Sequence, residues 1–397
     1  MNADSNSTAE LPAIVQTGFR PFFLGAMIYS IVAMGLWSLQ LMQHTGLDLD
    51  TVGPALWHGH EMVFGYAMAV IAGFLLTAVQ NWTGGKTAQG RTLLLLFGLW
   101  LVSRLLALAP STELMRIMLV SSSLFYLLLL TALIRPLIAA GNKAQRGILG
   151  KLVLLFALDA VFLASACGWL DKAYARPALL IAVYTVIGLI LVMAQRVVAP
   201  FTRNAINDGD RVREYRFVPQ VSFIALLVFV LADIMSWQNL LLISGLICFA
   251  ANAIRLYGWH SPEIWRLPLV WVLHMAILFI TLGFLLRGTA HVFGMHASLG
   301  LHAMTYGGIG LVTTGMMTRV TLGHTGRNVF QPPAGIAAIF LLLTAGAVTR
   351  ALLPLVAMEH YLLLVQMSQF LWIGAFVLML VYLFEPLIQT RIDGRYG

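Results

Sequence analysis

Stretches of about twenty mostly apolar residues recur along nearly the whole of this 397-residue chain, and that recurrence limits what it can fold into. A helix rises about 1.5 Å per residue, so roughly 20 residues cross the hydrocarbon core of a bilayer, where only helices and closed barrels satisfy their own backbone groups. The stretches fall at about 22–42, 56–79, 92–109, 115–134, 152–170, 177–198, 218–236, 239–257, 267–286, 298–318, 334–353 and 361–384. They predict an all-α, polytopic membrane helix bundle of about twelve transmembrane helices. Composition agrees: 60% of the residues are hydrophobic and only 10% are charged, with a mean hydropathy of +0.86. On this reading 1–21 is an N-terminal segment, 22–385 the transmembrane domain and 386–397 a short tail.

The basic residues set the expected orientation. With these spans, 18 of the 24 Lys and Arg lie at the termini or after even-numbered helices, five lie on the opposite side, and Arg104 sits within a span. An excess of Lys and Arg marks the cytoplasmic side, so both termini are expected there. The net charge of +8 therefore reports topology. No nucleic-acid partner is expected, because the basic residues are scattered over short loops and form no stripe. The opening MNADSNSTAELPA lacks the basic region and cleavage site of a signal peptide, so the first helix is expected to insert directly. Cys167 and Cys248 both fall inside predicted helices, with no CxxCH or CxxC spacing, and read as small buried apolar residues. The longest loop, about 199–217, is too short to fold alone, which leaves the chemistry in or beside the bundle.

Residues 57–62, WHGHEM, put two histidines and a glutamate at the head of an apolar run. An ionisable group near the middle of a bilayer costs on the order of 3 kcal/mol, so such a cluster on a membrane helix is a functional-site hypothesis by default. Successive helical residues turn by about 100°, so His58 and His60 point some 200° apart and cannot share one small ion. His58 shares its face with Glu61 and Met62, and His60 shares its own with Phe64. One histidine could take a metal while the other is held by hydrogen bonds; interfacial anchoring by Trp57 beside two hydrated histidines is the plainer account.

Further histidines weigh against the plainer account. His274 lies inside the ninth predicted helix, His291 and His296 in the outer loop, and His302 about one turn into the tenth. His60 and His302 are expected at similar depth on the same side. Two imidazoles so placed can bind a haem iron from both faces, or contribute to a copper site. Gly300, Gly307, Gly308, Gly310 and Gly315 strip the tenth helix of side-chain bulk, which suits close helix packing or a flat macrocycle. His324 lies about 22 residues beyond His302, across the membrane, and cannot bind the same ion. Asp159, Asp233 and Arg104 are the other charges within the spans, best read as interhelical ion pairs or hydrogen-bonding groups, with a proton path through Asp159 as the alternative.

GFRPFFL at 18–24, WHGHEMVFGYAMAVIAGFLLTAVQNWTG at 57–84, RVVAPFTRN at 196–204, WVLH at 271–274 and HAMTYGGIGLVTTGMMTRVTLGHTGR at 302–327 together resemble the NnrS family, in the same order and over almost the whole chain. The resemblance implies a bacterial inner (cytoplasmic) membrane protein that contains haem and copper and handles nitric oxide, linked to denitrification and to resistance against nitrosative stress. With no CxxCH, the haem would be held without a covalent bond, as a b-type haem is. Carried over by motif, the resemblance singles out His58, His60, Glu61, His274, His302 and His324, while His291 and His296 fall outside its motifs. His60 and His302 are the expected axial haem ligands. His58 and His274 are assigned to a second metal or to support. Glu61 is either a proton relay or the acceptor that orients a ligating imidazole. The expected partners are nitric oxide, membrane lipid and an electron donor. The resemblance allows binding, scavenging or reduction of nitric oxide. The competing class, suggested by the span count alone, is a secondary transporter of a small metabolite or metal. Crowding of the ionisable residues at one interface favours the cofactor protein.

Overall fold

The structure is a computed structural model and describes residues 11–44, 49, 51–141 and 146–395, with only the backbone of residue 146. The polar opening 1–10, Lys143 and residues 396–397 lie outside the described residues, as does the side chain of Arg146. Among the described residues every regular element is a helix and no strand occurs. The long helices are α1 (Phe19–Leu41), α2 (Pro54–Thr83), α3 (Gly90–Leu106), α4 (Thr112–Ala139), α5 (Arg146–Ala166), α6 (Ala175–Ala205), α7 (Val218–Ile234), α8 (Gln238–Trp259), α9 (Pro268–Thr289), α10 (298–324), α11 (Gly335–Leu355) and α12 (Tyr361–Ile388). A helix thus lies over each of the twelve apolar stretches. Nine helices among the described residues are long and apolar enough to cross a membrane, and Val218–Ile234 is a shorter apolar one. The chain is a polytopic helical membrane protein.

Local chemistry explains where the site-bearing helix begins and ends. Gly53, at φ 87°, turns the chain into α2, and Pro54 supplies the fixed φ and missing N–H that suit a first helical position. Gly84 ends the helix in the left-handed region, φ 68°, with its N–H bonded to the Gln80 carbonyl at 2.9 Å. Between them the backbone is wound as a π-helix over Glu61–Ala67. Two further π-wound segments occur, Ala303–Gly310 in α10 and Val348–Leu352 in α11. Each insertion of an i→i+5 turn swings the following side chains round the axis, and such turns cluster at functional sites.

The chain divides into two compact units: Met1–Ala182 with Met317–Asn328 and Phe376–Gly397, and Val183–Met316 with Val329–Ala375. In the first, α1 packs on α2, α3 on α4, and α4 on both α2 and α5, around Phe19, Phe22, Phe23, Leu76 and Phe162. Arg20 is fully buried there. Its guanidinium caps the end of α12 through the carbonyls of Pro386, Leu387 and Gln389 at 3.2, 2.9 and 2.6 Å. In the second unit α8 packs on α7 and α9, and α9 carries the π-wound part of α10. Outward-facing Leu94, Leu95, Ile224 and Leu227 are exposed, as befits helices solvated by lipid and apolar on all faces.

Candidate functional site

In the first unit four ionisable side chains come together in the interior. His60, Glu61, Arg104 and Asp159 are each no more than 2% exposed. Glu61 Oε1 meets His60 Nδ1 at 2.7 Å, and His60 Nε2 meets Asp159 Oδ1 at 2.8 Å. Arg104 Nη1 donates to Glu61 Oε2 at 2.5 Å, and the Tyr29 hydroxyl donates to the same oxygen. Ser122 donates to Asp159 Oδ2. A hydrogen-bonded line therefore runs Tyr29, Glu61, His60, Asp159, Ser122, with Arg104 on its flank, and draws on all five of α1 to α5. Phe64 and Phe162 cover the His60 ring, with centroids 4.9 and 4.4 Å away.

The line has a definite proton count. An ionised carboxylate only accepts, and a neutral imidazole has one N–H. With an oxygen of a carboxyl at each ring nitrogen, either His60 is an imidazolium between two carboxylates or one carboxyl holds the proton. In the first case the imidazolium and the guanidinium balance the two carboxylates, and the cluster is neutral as a whole. Removing the shared proton would leave net negative charge in a low-dielectric interior. The arrangement can hold one mobile proton between Glu61, His60 and Asp159.

Backbone features make room for it. Gly65 lies one turn beyond Glu61, and a Cβ on it would sit 2.6 Å from the Tyr29 ring and 2.9 Å from Arg104 Nη1. A side chain there would displace the two groups that bind Glu61. The π-wound turn also turns the Gly65 carbonyl toward α3, where the Trp100 indole donates to it at 3.0 Å. Trp57 anchors the start of α2 by donating to the Ala107 carbonyl at 2.8 Å. Steps of 100° placed Glu61 on the His58 face; the structure instead bonds it to the adjacent His60, because the winding changes at Glu61 and its side chain is long enough to reach back. His58 is half-buried, with its ring stacked on Trp37 at 4.7 Å and 8°.

The other histidines of the expected site belong to the second unit. His302 ends the α-wound start of α10, immediately before the π-wound segment. Its Nδ1 lies 2.8 Å from the Ser298 carbonyl, and its Nε2 lies 3.4 Å from Arg350 Nη2. Arg350 sits in the π-wound segment of α11 and lies over the Tyr361 ring, with Cζ 5.4 Å from its centroid. The Tyr361 hydroxyl is 3.2 Å from Ser298 Oγ, and His296 Nδ1 is 2.7 Å from the same oxygen. His302, Arg350, Tyr361, Ser298 and His296 thus form one cluster. His291 is exposed and, among the described residues, has no hydrogen bond to this cluster. His274 is buried elsewhere in the unit, its Nδ1 3.1 Å from the Val270 carbonyl and its Nε2 3.4 Å from the Trp259 carbonyl. His324 belongs to the first unit, beside Phe19 and Asn81.

These positions bear differently on a haem or copper ion. His302 has the posture of a ligating imidazole: a backbone carbonyl takes Nδ1–H, which fixes the tautomer and leaves Nε2 with a lone pair. His60 presents no ring nitrogen to a metal while both carboxyls hold it; ligation would require Glu61 or Asp159 to give way. The glycines of α10 serve helix packing. A Cβ at Gly300 would press on the Arg287 backbone, one at Gly308 on Ile280, one at Gly310 on Trp372 and one at Gly315 on Val272. Among the described residues no three His, Cys, Asp or Glu side chains gather in a group that could hold a metal ion. Cys167 and Cys248 are buried free thiols, as expected.

Sequence reasoning found His60 and Glu61 and named Arg104 and Asp159 as buried charges without joining them. Tyr29 and Ser122 were missed, since a hydroxyl on an apolar helix looks like ordinary core. Arg350 counted only as one of the five basic residues expected on the side opposite the termini, although a guanidinium at the end of an apolar helix was a signal in itself. Asp233, expected to pair between helices, does so, with partners the sequence did not name: it takes Arg287 Nη2 at 2.5 Å and Nε at 3.2 Å, with Tyr184 donating at 2.5 Å. No curated protein matches the chain. The family described as NnrS protein matches residues 13–391, nearly the whole length, and the chain belongs to the NnrS family.

Proposed function

We propose that this membrane protein handles nitric oxide in the bacterial inner membrane, by binding or reducing it at a haem with copper nearby, and so protects the cell against nitrosative stress. Family membership supplies the link to nitric oxide metabolism. The observation that carries the chemical part is the buried line through Glu61, His60 and Asp159. Ionisable groups are retained inside a membrane bundle at a cost in stability, and besides interhelical pairing one return is a proton or ion path. Reducing two molecules of nitric oxide to nitrous oxide and water consumes two protons and two electrons, so a proton-holding group in a dry interior suits that reaction.

The geometry supports a set of residue roles. His302 is the histidine best posed to ligate a metal, through Nε2, once Arg350 moves off it. Arg350, freed from that contact, is suited to the carboxylates that a haem carries, because guanidinium groups bind carboxylates bidentately. Bound there, haem and copper would supply a site for nitric oxide and a route for electrons from a donor protein. His60 and Glu61 hold and pass the proton, and Asp159 and Arg104 keep the pair balanced. His58, stacked on Trp37, and His274, bonded to carbonyls, are assigned supporting places.

The test is an absorption spectrum and metal analysis of the purified full-length protein, with two substitutions. His302→Ala is expected to abolish the Soret band. His60→Gln is expected to keep the band and the metal content while lowering nitrous oxide formed from nitric oxide and a reductant, by about 10²-fold or more, as for loss of a general acid or base. Loss of the band in His60→Gln would make His60 a ligand. A colourless wild-type protein containing neither iron nor copper would end the proposal and return the chain to the transporter class.

A further inference from the structure

Within the second unit, α6, α7 and α8 border an open cavity of about 530 Å³. Its most unusual wall residue is Arg255, on α8 and only 4% exposed. Arg255 Nη1 donates to Asn252 Oδ1 at 3.1 Å and Nη2 to the Leu191 carbonyl at 2.9 Å, while its Cζ lies 4.8 Å from the centre of the Trp259 ring. All of these partners are neutral. The buried Nε has no hydrogen-bond acceptor among the described residues. Glu214, the carboxylate in the cavity wall, acts on Arg255 electrostatically but is bonded to Arg203 at 3.0 Å, not to Arg255. Arg196 lines the exposed side of the cavity and adds a second positive charge. Arg255 differs in this from Arg104 and Arg287, each of which has a carboxylate within 2.5 Å. A buried cation bonded only to neutral groups is costly, and an anion is what would compensate it.

The remaining wall says what kind of anion. Val192, Phe223 and Leu226 give it one apolar side, and Phe223 continues onto the exposed outer face of α7 with Ile224 and Leu227. Ser222 Oγ accepts from Asn252 at 3.0 Å and keeps its own proton to donate. A charged head with three or four oxygen acceptors would meet Arg255 Nε, Arg196 and Ser222, and an acyl chain would lie along the apolar wall. We propose that this cavity binds a phosphate-bearing anion, held by the Arg255 guanidinium. A phospholipid and free phosphate share this chemistry; the apolar wall favours the phospholipid. Basic pockets between helices on the cytoplasmic side are known to take anionic headgroups.

The full-length protein in detergent would be titrated with phosphatidylglycerol, phosphatidylcholine and inorganic phosphate, with retained lipid read by native mass spectrometry and phosphate binding by thermal shift. Phosphatidylglycerol is expected to be retained about tenfold better than phosphatidylcholine, the worth of one charge-assisted hydrogen bond. Arg255→Gln should erase the preference. Because Arg255 also ties α6 to α8, a second variant, Val192→Trp, fills the cavity without touching the guanidinium and should erase it too. If inorganic phosphate alone stabilises the wild type, and Val192→Trp removes the effect, the phosphate site stands with a soluble source. Equal retention of the two lipids with no response to phosphate overturns the proposal. So does a preference that survives in Val192→Trp, since the lipid would then sit elsewhere.

Discussion

Glu61 binds three groups with two oxygens, and its consequences are calculable. Replacing it with Gln leaves Arg104 buried without a carboxylate, a loss expected to cost about 3–5 kcal/mol and to show as a lower unfolding midpoint in detergent. The double variant Glu61→Gln with Arg104→Gln should lose clearly less than the sum of the two singles, because the stranded charge is gone. Additive losses would mean the two do not interact. The line was half legible from residue types alone. Glutamate and histidine at 61 and 60 stood out on an apolar helix, but their partners lie 43 and 99 residues away, at Arg104 and Asp159, and no local pattern encodes that. Ser122 gave no signal because a serine hydroxyl on a membrane helix can bond its own backbone one turn back, and Tyr29 gave none because a tyrosine ring among apolar residues reads as ordinary core.

At the scale of elements, helix positions and apolar faces followed from the sequence, while winding did not. Three π-wound segments adjoin or contain Glu61, His302 and Arg350, and no composition rule distinguishes them from α-helix. Gly65→Ala tests whether the first of them shapes the site. The added methyl group meets Tyr29 and Arg104, so the helix is expected to persist while stability falls by about 1–3 kcal/mol, as for overpacking, and nitrous oxide formation falls with it. Unchanged stability and activity would mean the close approach is incidental. In the second unit Asp233→Asn strips Arg287 of its bidentate partner across α7 and α9, with an expected cost of about 3 kcal/mol or more in the same unfolding measurement.

For the whole molecule, orientation is the expectation to check. Both native thiols are buried, so single cysteines introduced elsewhere report sidedness cleanly. Cysteine at Gly394 is expected to resist a membrane-impermeant reagent added to intact cells, and cysteine at His360 to react with it; the reverse pattern would invert the topology. The tail also carries a pH dependence. Arg391, through its two bonds to Asp393, holds that exposed carboxyl well below the usual carboxylate range. A carboxyl with a depressed folded value contributes its stability above the ordinary range and loses it only as pH falls through the depressed value. Tail contacts, including the bond from Arg391 to the His324 carbonyl at 3.0 Å, should therefore persist at mildly acidic pH. Protease sensitivity of the tail at pH 5 equal to that at pH 7 is the expected result.

The sequence by itself determined the solvent and the class of fold. A chain with this many long apolar stretches must be helical in lipid, since each helix satisfies its own backbone within a local window. It also carried the family in its ordered motifs, and it flagged His60 and Glu61 through the cost of placing charge in such helices. Only the tertiary structure decided what those charges touch. Partner choice is a long-range matter, set by which faces of distant helices meet, by a change of winding at Glu61 and by a glycine that lets Arg104 close on it. The same holds for Arg255, a basic residue among many in the sequence. In the fold it becomes a buried cation beside a cavity.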